Sequence, residues 1–238
     1  MNIALVGYGK MGKAIEQIAL GRGHQISAKI EFSNKEDISL LNPANTDVAI
    51  EFTQPESAFE NIKACLEQGI PVVSGTTGWL AHKEEIERLC QEKKGAFFYA
   101  SNFSIGVNLF FSINKTLAKL MNDFQSDYDV SMEEIHHIHK LDEPSGTAIT
   151  LSEGITEGFD KKKGWQLTNE KEELIHINAV REGEVPGTHI INYKSEIDQI
   201  EIKHEAFNRK GFSTGAVVAA EWLKGKEGIF GMNDLLKL

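Results

Sequence analysis

Short apolar runs alternate with helix-like periodicity over the first hundred residues. Residues 2–6 form an apolar run, and from residue 11 to 20 the apolar positions follow the three-four spacing of an amphipathic helix. The same alternation predicts further strands at 24–31, 47–52, 70–74 and 96–100, and helices at 56–68 and 80–93. Strands and helices that alternate through short links predict a parallel sheet covered by helices on both faces.

The pattern changes after about residue 102. A long helix is predicted at 105–121, a shorter one at 148–155, and strands at 127–137, 174–181, 189–193 and 199–204. An apolar helix at 215–224 is expected to return to the first domain. We therefore predict an α/β protein with a Rossmann-type parallel-sheet domain (1–103, completed by 212–238) and a smaller α+β domain with an open mixed sheet (104–211).

A glycine motif follows the first predicted strand. Residues 7–12 fit the pattern G-x-G-x-x-G: Gly7 permits a tight turn, Gly9 lets the backbone approach a pyrophosphate, and Gly12 lets helix and strand pack closely. Glu31 lies about 20 residues further on, where a carboxylate binds the adenosine ribose. A structural turn with a surface glutamate is the alternative. The three coincident features favour a nicotinamide dinucleotide site, which also includes Lys10 and Met11.

The charge and apolar content exclude several classes of function. The chain carries 25 Lys and Arg against 35 Asp and Glu, a net charge of −10, which disfavours binding to nucleic acid. No apolar run is long enough to span a membrane, and the first residues do not resemble a secretory signal, so we expect a cytoplasmic protein. The two cysteines have no metal-ligand spacing and are expected to be reduced thiols.

The greatest density of reactive side chains lies at residues 134–147. His136, His137 and His139 are followed by Lys140, which combines groups that exchange protons near neutral pH with a fixed positive charge. Further along, Ser145 or Thr147 is expected to cap the next helix, where the amides of Gly146 and Thr147 would bind a carboxylate. The segment suits reduction of a small carboxylated molecule beside a hydride donor.

Two simpler interpretations of the histidines compete with this one. A metal site is disfavoured, because adjacent residues on a strand point to opposite faces and no cysteine or carboxylate stands at a convincing spacing. We therefore predict no metal. Surface histidines without a function are the second alternative, which the nearby cofactor motif makes less attractive.

These motifs together resemble a known enzyme family. Residues 134–147, the glycine loop, Ser-Gly-Thr-Thr-Gly at 74–78 and Ala-Ser-Asn-Phe-Ser at 100–104 are similar to 4-hydroxy-tetrahydrodipicolinate reductases, formerly called dihydrodipicolinate reductases, of bacterial lysine and diaminopimelate synthesis. The resemblance covers nearly the whole chain. It implies reduction of a cyclic dicarboxylate imine precursor with NADH or NADPH, and a homotetramer assembled through the second domain.

The resemblance also implies roles for individual residues. His136 corresponds to the catalytic proton donor or acceptor, and Lys140 to the second proton donor and a substrate contact. The other implied substrate contacts are His137, Gly146 and Thr147. The implied contacts near the nicotinamide and its ribose are Gly75, Thr76, Thr77, Ala100, Ser101, Asn102 and Phe103.

One departure from the family pattern bears on the choice of cofactor. Phe32 stands after Glu31, where the family often has an arginine that accompanies use of NADPH. Phenylalanine cannot pair with a 2′-phosphate and Glu31 would repel it, so we expect a preference for NADH, weakened if Lys35 reaches back. Other departures are Ile138, Glu143 and Lys10.

Two other functions stay open at this point. One is a different two-domain Rossmann enzyme, such as an amino-acid dehydrogenase, against which the segment 136–147 counts. The other is a catalytically silent dinucleotide sensor, against which the presence of both His136 and Lys140 counts.

Overall fold

The computed structural model describes residues 1–168, 170–208 and 210–238. The chain forms two compact units: Met1–Ile105 together with Lys210–Leu238, and Gly106–Arg209. The first unit is therefore discontinuous along the chain, and the second lies between its two parts in sequence.

The first unit contains a six-stranded parallel sheet with the order β11-β5-β4-β3-β1-β2. Its strands are β1 (Asn2–Val6), β2 (Gln25–Ile30), β3 (Val48–Glu51), β4 (Val72–Ser74), β5 (Ala96–Tyr99) and β11 (Gly228–Phe230). All four residues of β3 are buried, as expected for a strand covered on both faces. The strand order changes direction between β1 and β3, which is the topological switch point of the sheet.

Helices cover both faces of this sheet. They are α1 (Lys10–Gly21), α2 (Pro55–Glu67), α3 (Lys83–Glu92), α6 (Lys210–Leu223) and the short α7 (Met232–Leu236), with 3-10 helices at Phe32–Leu40 and Leu80–His82. Ile15 of α1 and Ala220 of α6 belong to the apolar cluster on one face. Ile62 of α2 and Ile86 of α3 belong to the cluster on the other face. Two separate cores around one sheet give the doubly wound arrangement.

The second unit contains a mixed five-stranded sheet with the order β10-β9-β6-β8-β7. Its strands are β6 (Asp129–His136), β7 (Trp165–Gln166), β8 (Ile175–Arg181), β9 (Thr188–Lys194) and β10 (Gln199–Glu205), and its helices are α4 (Ile105–Met121) and α5 (Gly146–Thr156). The central strand β6 runs antiparallel to β9 and parallel to β8. Alternate residues of β6, from Val130 to His136, are buried. One face of the strand therefore points into the core formed with α4 and α5.

The predicted fold class is confirmed, and several local predictions were wrong. The helix predicted at 80–93 is a 3-10 turn followed by α3, and the helix predicted from residue 215 begins at Lys210, because its first turn is too polar to show in the pattern. The 3-10 helix at Phe32–Leu40, the strand β11 and the helix α7 were not predicted. No described helix has the length and apolar character needed to cross a bilayer.

Candidate cofactor and substrate sites

A cavity of about 740 Å³ opens at the switch point of the first sheet. The loops that follow β1, β2 and β3 line it with Gly7, Tyr8, Gly9, Glu31, Phe32, Lys35, Phe52, Thr53 and Gln54, among others. Ligands of open α/β sheets bind in this crevice, beyond the carboxyl ends of the strands. The structure thus brings the glycine loop and Glu31 to one cavity.

The glycines of the loop meet different constraints. Gly7 has φ +95°, and a Cβ there would lie 2.0 Å from the carbonyl oxygen of Phe52. A Cβ on Gly12 would lie 2.2 Å from the carbonyl oxygen of Gly7, so this glycine allows α1 to approach the turn. Gly9 is the N-cap residue of α1, and a Cβ there would meet nothing within 4 Å. Gly7 and Gly12 are therefore required by the fold, whereas Gly9 leaves room for a ligand.

The N-terminus of α1 fits a pyrophosphate. Lys10 and Met11 are its first residues, no described side chain caps it, and its first turn holds no acidic residue. The amides of a first turn lack helical partners and carry partial positive charge, which favours an anion. Glu31 is exposed and lines the same cavity. Its backbone amide donates to Asn34 Oδ1 at 2.7 Å, which holds the residue directly after β2.

A buried carboxylate fixes the loops after β3 and β4. Glu51 is fully buried, and its oxygens accept hydrogen bonds from the backbone amide of Thr53 at 3.0 Å and from the hydroxyls of Ser74 and Thr76 at 2.6 and 2.7 Å. This contact positions the segment with Gly75, Thr76 and the exposed Thr77. Sequence reasoning missed Glu51, although an acidic residue in an apolar strand was the available signal.

The loop after β5 carries the remaining predicted cofactor contacts. The amide of Ala100 donates to the carbonyl of Ser74 at 3.3 Å, and Asn102 Oδ1 accepts from the amide of Ser104 at 2.8 Å. Ser101 is exposed, whereas the ring of Phe103 is buried and lies 5.6 Å from the Phe52 ring. Because the Phe103 side chain belongs to the core, only its backbone remains for a ligand contact.

In the second unit, the predicted catalytic segment leaves the end of β6. His136 is its last residue and is buried, and the amide of His137 donates to the carbonyl of Val185 at 2.8 Å. The Lys140 ammonium donates to both oxygens of Asp142 at 2.8 Å, and this hydrogen bond lowers the pKa of the Asp142 carboxyl. The Lys140 side chain keeps 21% of its surface exposed, so it stays accessible to a ligand.

The N-terminus of α5 follows directly. Ser145 caps this helix, its hydroxyl accepting the amide of Ala148 at 3.2 Å, and the cap is therefore Ser145 and not Thr147. The amides of Gly146 and Thr147 make no hydrogen bond within the described residues, and a Cβ on Gly146 would meet nothing within 4 Å. The turn thus has two N–H groups without a hydrogen-bond partner among the described residues, and their binding to a carboxylate stays a prediction.

A buried polar network, not foreseen from the sequence, surrounds His136. The strand register places Arg181 of β8 opposite His136 and His189 of β9 opposite Glu134. Arg181 Nη2 donates to Glu134 Oε1 at 3.0 Å, and the rings of His136 and His189 have centroids 5.1 Å apart. Burial lowers the pKa of His136, although the Glu134 charge opposes this. Burial also lowers the pKa of His189, to about 3, so His189 is neutral near pH 7.

Three members of this network have the geometry of a metal site. Ligand atoms of Glu134, His136 and His189 all lie within 4.8 Å of one another. The Glu134 oxygens, however, already accept two donors, the Ser145 amide and the cationic Arg181. A metal ion there would face a guanidinium at close range, so the donor set suits a hydrogen-bonded network better than a cation.

The sequence is similar to reductases over its whole length. The family models "Dihydrodipicolinate reductase, N-terminus" and "Dihydrodipicolinate reductase, C-terminus" match residues 1–103 and 106–236. A 4-hydroxy-tetrahydrodipicolinate reductase of Christiangramia forsetii is 53% identical, with 99% of this chain and 98% of the relative covered. One of Neisseria gonorrhoeae is 35% identical, with 94% and 84% covered.

Solved structures share the fold. A dipicolinate-bound dihydrodipicolinate reductase from Paenisporosarcina sp. TG-14 superimposes with a TM-score of 0.77 at 23% identity, covering 98% of each chain. A structure described as a "probable dehydrogenase from Thermotoga maritima" gives a TM-score of 0.55 at 9% identity. The fold is thus shared with dehydrogenases more widely, while the sequence similarity points to one family.

Proposed function

The chain belongs to the dihydrodipicolinate reductase family, and on that premise we propose that it reduces 4-hydroxy-tetrahydrodipicolinate to tetrahydrodipicolinate with NADH or NADPH in lysine and diaminopimelate synthesis. The observation that carries the proposal is the arrangement of residues 136–147. One short segment joins a buried imidazole, an accessible ammonium and two unpaired amides. A different amino-acid dehydrogenase would not need this combination.

The reduced nicotinamide supplies a hydride when bound. The chain would hold its pyrophosphate at Gly9 and the N-terminus of α1, its adenosine ribose at Glu31, and its nicotinamide half near the loops 75–77 and 100–103. Lys140 and the amides of Gly146 and Thr147 would bind a substrate carboxylate, with His137 beside them. The role of these residues is to fix the substrate ring in one orientation.

Two proton donations to the substrate accompany the reduction. Loss of water from the hydroxylated substrate requires a proton on the departing oxygen, and hydride addition leaves negative charge on the ring that an acid must quench. His136 and Lys140 are the candidate donors. Protonation of the departing hydroxyl, together with loss of a proton from the adjacent ring carbon, releases water, and protonation of the ring after hydride addition completes the product.

The direct test is an assay of cofactor oxidation with the product of the preceding lysine-pathway step. We expect a fall in the absorbance of the reduced nicotinamide that depends on that compound. A sensor would bind NADH without oxidising it, and another dehydrogenase would oxidise it only with a different substrate. Either result would overturn the proposed activity.

We further propose that NADH is preferred over NADPH. Glu31 suits a ribose 2′-hydroxyl and repels a 2′-phosphate, and Phe32 is 91% exposed at the same cavity. The Lys35 ammonium lies 5.9 Å from the centroid of the Phe32 ring, where it is the nearest candidate to weaken the preference.

The preference is measured as the ratio of kcat/KM for the two cofactors. Phe32→Arg is expected to raise kcat/KM for NADPH by about tenfold, because a charge-assisted hydrogen bond contributes roughly 1.5 kcal/mol. Phe32→Leu is the matched control and should leave NADPH use unchanged. A wild-type enzyme that clearly favours NADPH would contradict the proposal.

We also propose a homotetramer assembled through the second unit. β10 is an edge strand of its sheet, and Ile197, just before it, is 93% exposed. Apolar groups beside an unpaired strand edge favour association. Light scattering should give about four times the 26.5 kDa of one chain. A monomer at micromolar concentration would refute the assembly.

A further inference from the structure

Glu134 contacts three other elements of the second unit. Its side chain is fully buried on β6, and its two oxygens lie 3.1 and 3.0 Å from the backbone amide of Ser145, which donates to them. Oε1 also accepts from Arg181 Nη2 at 3.0 Å. Oε2 lies 3.6 Å from His136 Nδ1 and 3.7 Å from His189 Nε2. A buried carboxylate is costly without such partners, so its position is closely defined by them.

Arg181 extends this contact to the turn that carries Lys140. The same Nη2 that donates to Glu134 also donates to the backbone carbonyl of Asp142 at 2.6 Å. Asp142 in turn accepts the Lys140 ammonium. The Glu134 carboxylate and the Arg181 guanidinium therefore hold both ends of the turn. The turn starts at the end of β6 and ends at the cap of α5.

The carboxylate also faces the imidazole of His136. At 3.6 Å the Nδ1–Oε2 pair is longer than a hydrogen bond, and Nδ1 has no hydrogen-bond partner within the described residues. The negative charge nevertheless favours a proton on Nδ1 and stabilises the imidazolium form. The other ionisable groups around His136 are Lys140, Asp142, Arg181 and His189.

We propose that Glu134, supported by Arg181, is a positioning residue for the reductase: one buried carboxylate aligns the proton-transfer histidine and the carboxylate-binding turn as a single preorganised unit. This inference rests on the proposed function for the roles of His136 and the turn. It assigns to Glu134 no contact with substrate or cofactor. Its effect reaches the reaction through His136 on one side and through Ser145 on the other.

Glu134→Gln tests the proposal with the smallest change in shape. The new amide donor must face either the Ser145 amide or Arg181, which are donors themselves, so one contact is lost. We expect kcat to fall and KM for the substrate to rise, with kcat/KM about 10- to 100-fold lower. Because the Glu134 charge raises the pKa of His136, its loss should move the pH limb assigned to His136 to lower pH. Affinity for NADH should not change.

Glu133→Gln is the matched control. Glu133 is the preceding residue on β6 and points to the opposite face, where it accepts from Asn178 Nδ2 at 2.7 Å. The same change of charge there should leave kcat, KM and the pH profile at their wild-type values. Equal losses in both variants would mean a general effect of charge on the strand and would overturn the proposal.

Nitrogen-15 NMR separates this inference from the proposed function. The imidazole signals of His136 report its titration without turnover, and the amide signals of Gly146 and Thr147 report the turn. In Glu134→Gln we expect the imidazole signals of His136 and the amide signals of Gly146 and Thr147 to shift. The imidazole signals of His139 should stay unchanged. If the wild-type enzyme fails to reduce the substrate, the proposed function fails, yet these spectra still test the link between Glu134, His136 and the turn.

Arg181→Lys supplies a second variant should Glu134→Gln not fold. Lysine keeps the positive charge but cannot bond Glu134 and the Asp142 carbonyl with the geometry of the guanidinium. We expect kcat to fall, KM for the substrate to rise, and the Gly146 and Thr147 amide signals to shift, with a smaller loss of kcat/KM than in Glu134→Gln. Wild-type kinetics and unchanged His136, Gly146 and Thr147 signals in whichever of the two variants folds would overturn the proposal.

Discussion

Replacing His136 by glutamine is expected to lower kcat by about 10²- to 10⁴-fold while leaving the affinity for NADH nearly unchanged. Glutamine retains polarity and approximate size but does not exchange a proton near neutral pH. The candidate cofactor contacts lie on the first unit and His136 on the second, so the loss should appear in the chemical step. Steady-state kinetics and a fluorescence titration with NADH measure the two quantities separately.

His139→Gln provides the control for this change. It removes another imidazole from the same short segment, but the His139 side chain is 67% exposed, and Nε2 lies 3.2 Å from a carboxylate oxygen of the exposed Glu184. We expect kcat within about twofold of wild type, as is usual for exposed sites. A His136→Gln enzyme as active as His139→Gln would remove His136 from the mechanism.

The second large effect is expected from Gly12→Ala. The added methyl would lie 2.2 Å from the carbonyl oxygen of Gly7, so α1 and the turn must move apart. We expect the free energy of unfolding to fall by about 1–3 kcal/mol, as for other overpacked sites. The dissociation constant for NADH should rise by at least about 100-fold, because the helix N-terminus no longer meets the pyrophosphate. Chemical denaturation and NADH titration measure both effects.

Gly9→Ala distinguishes ligand contact from packing. A Cβ on Gly9 meets nothing within 4 Å, so stability should be unchanged, yet the methyl would stand where the backbone approaches the pyrophosphate. Weaker NADH binding at an unchanged Tm is the expected result. Gly21→Ala, at the other end of α1 and equally free of contacts, should alter neither property. Normal NADH affinity in Gly9→Ala would place the pyrophosphate elsewhere.

The parallel sheet could be predicted because a strand that is buried on both faces consists almost entirely of apolar residues. β1 and β3 are apolar except for Asn2 and Glu51 at their ends, and the amphipathic α1 follows the first of them. β11 has only three residues, too few to show a period, and forms because it pairs with β5. The 3-10 helix Phe32–Leu40 likewise has no regular apolar spacing and depends on local capping by Glu31 and Asn34.

The candidate site likewise has one part that could be predicted from the sequence and another that could not. Residues 136–147 are close in sequence, so their chemistry could be read from the segment alone. Arg181 and His189 reach Glu134 only because β8 and β9 pair with β6 in a particular register. Glu51 similarly meets Ser74 and Thr76 across neighbouring strands. Such contacts depend on tertiary structure, which single-sequence periodicity does not encode.

The discontinuous first unit has a consequence for how the chain is made. Ala216, Val217 and Ala220 of α6 are completely buried against the first sheet, whose own strands begin at Asn2. Ribosomes synthesise proteins from the amino terminus, so the early strands emerge long before the helix that covers them. Until residues 216–223 have been translated, this apolar face stays open to solvent and to other nascent polypeptides. Chaperone protection during that interval should therefore matter more for this protein than for one whose nucleotide-binding domain is contiguous.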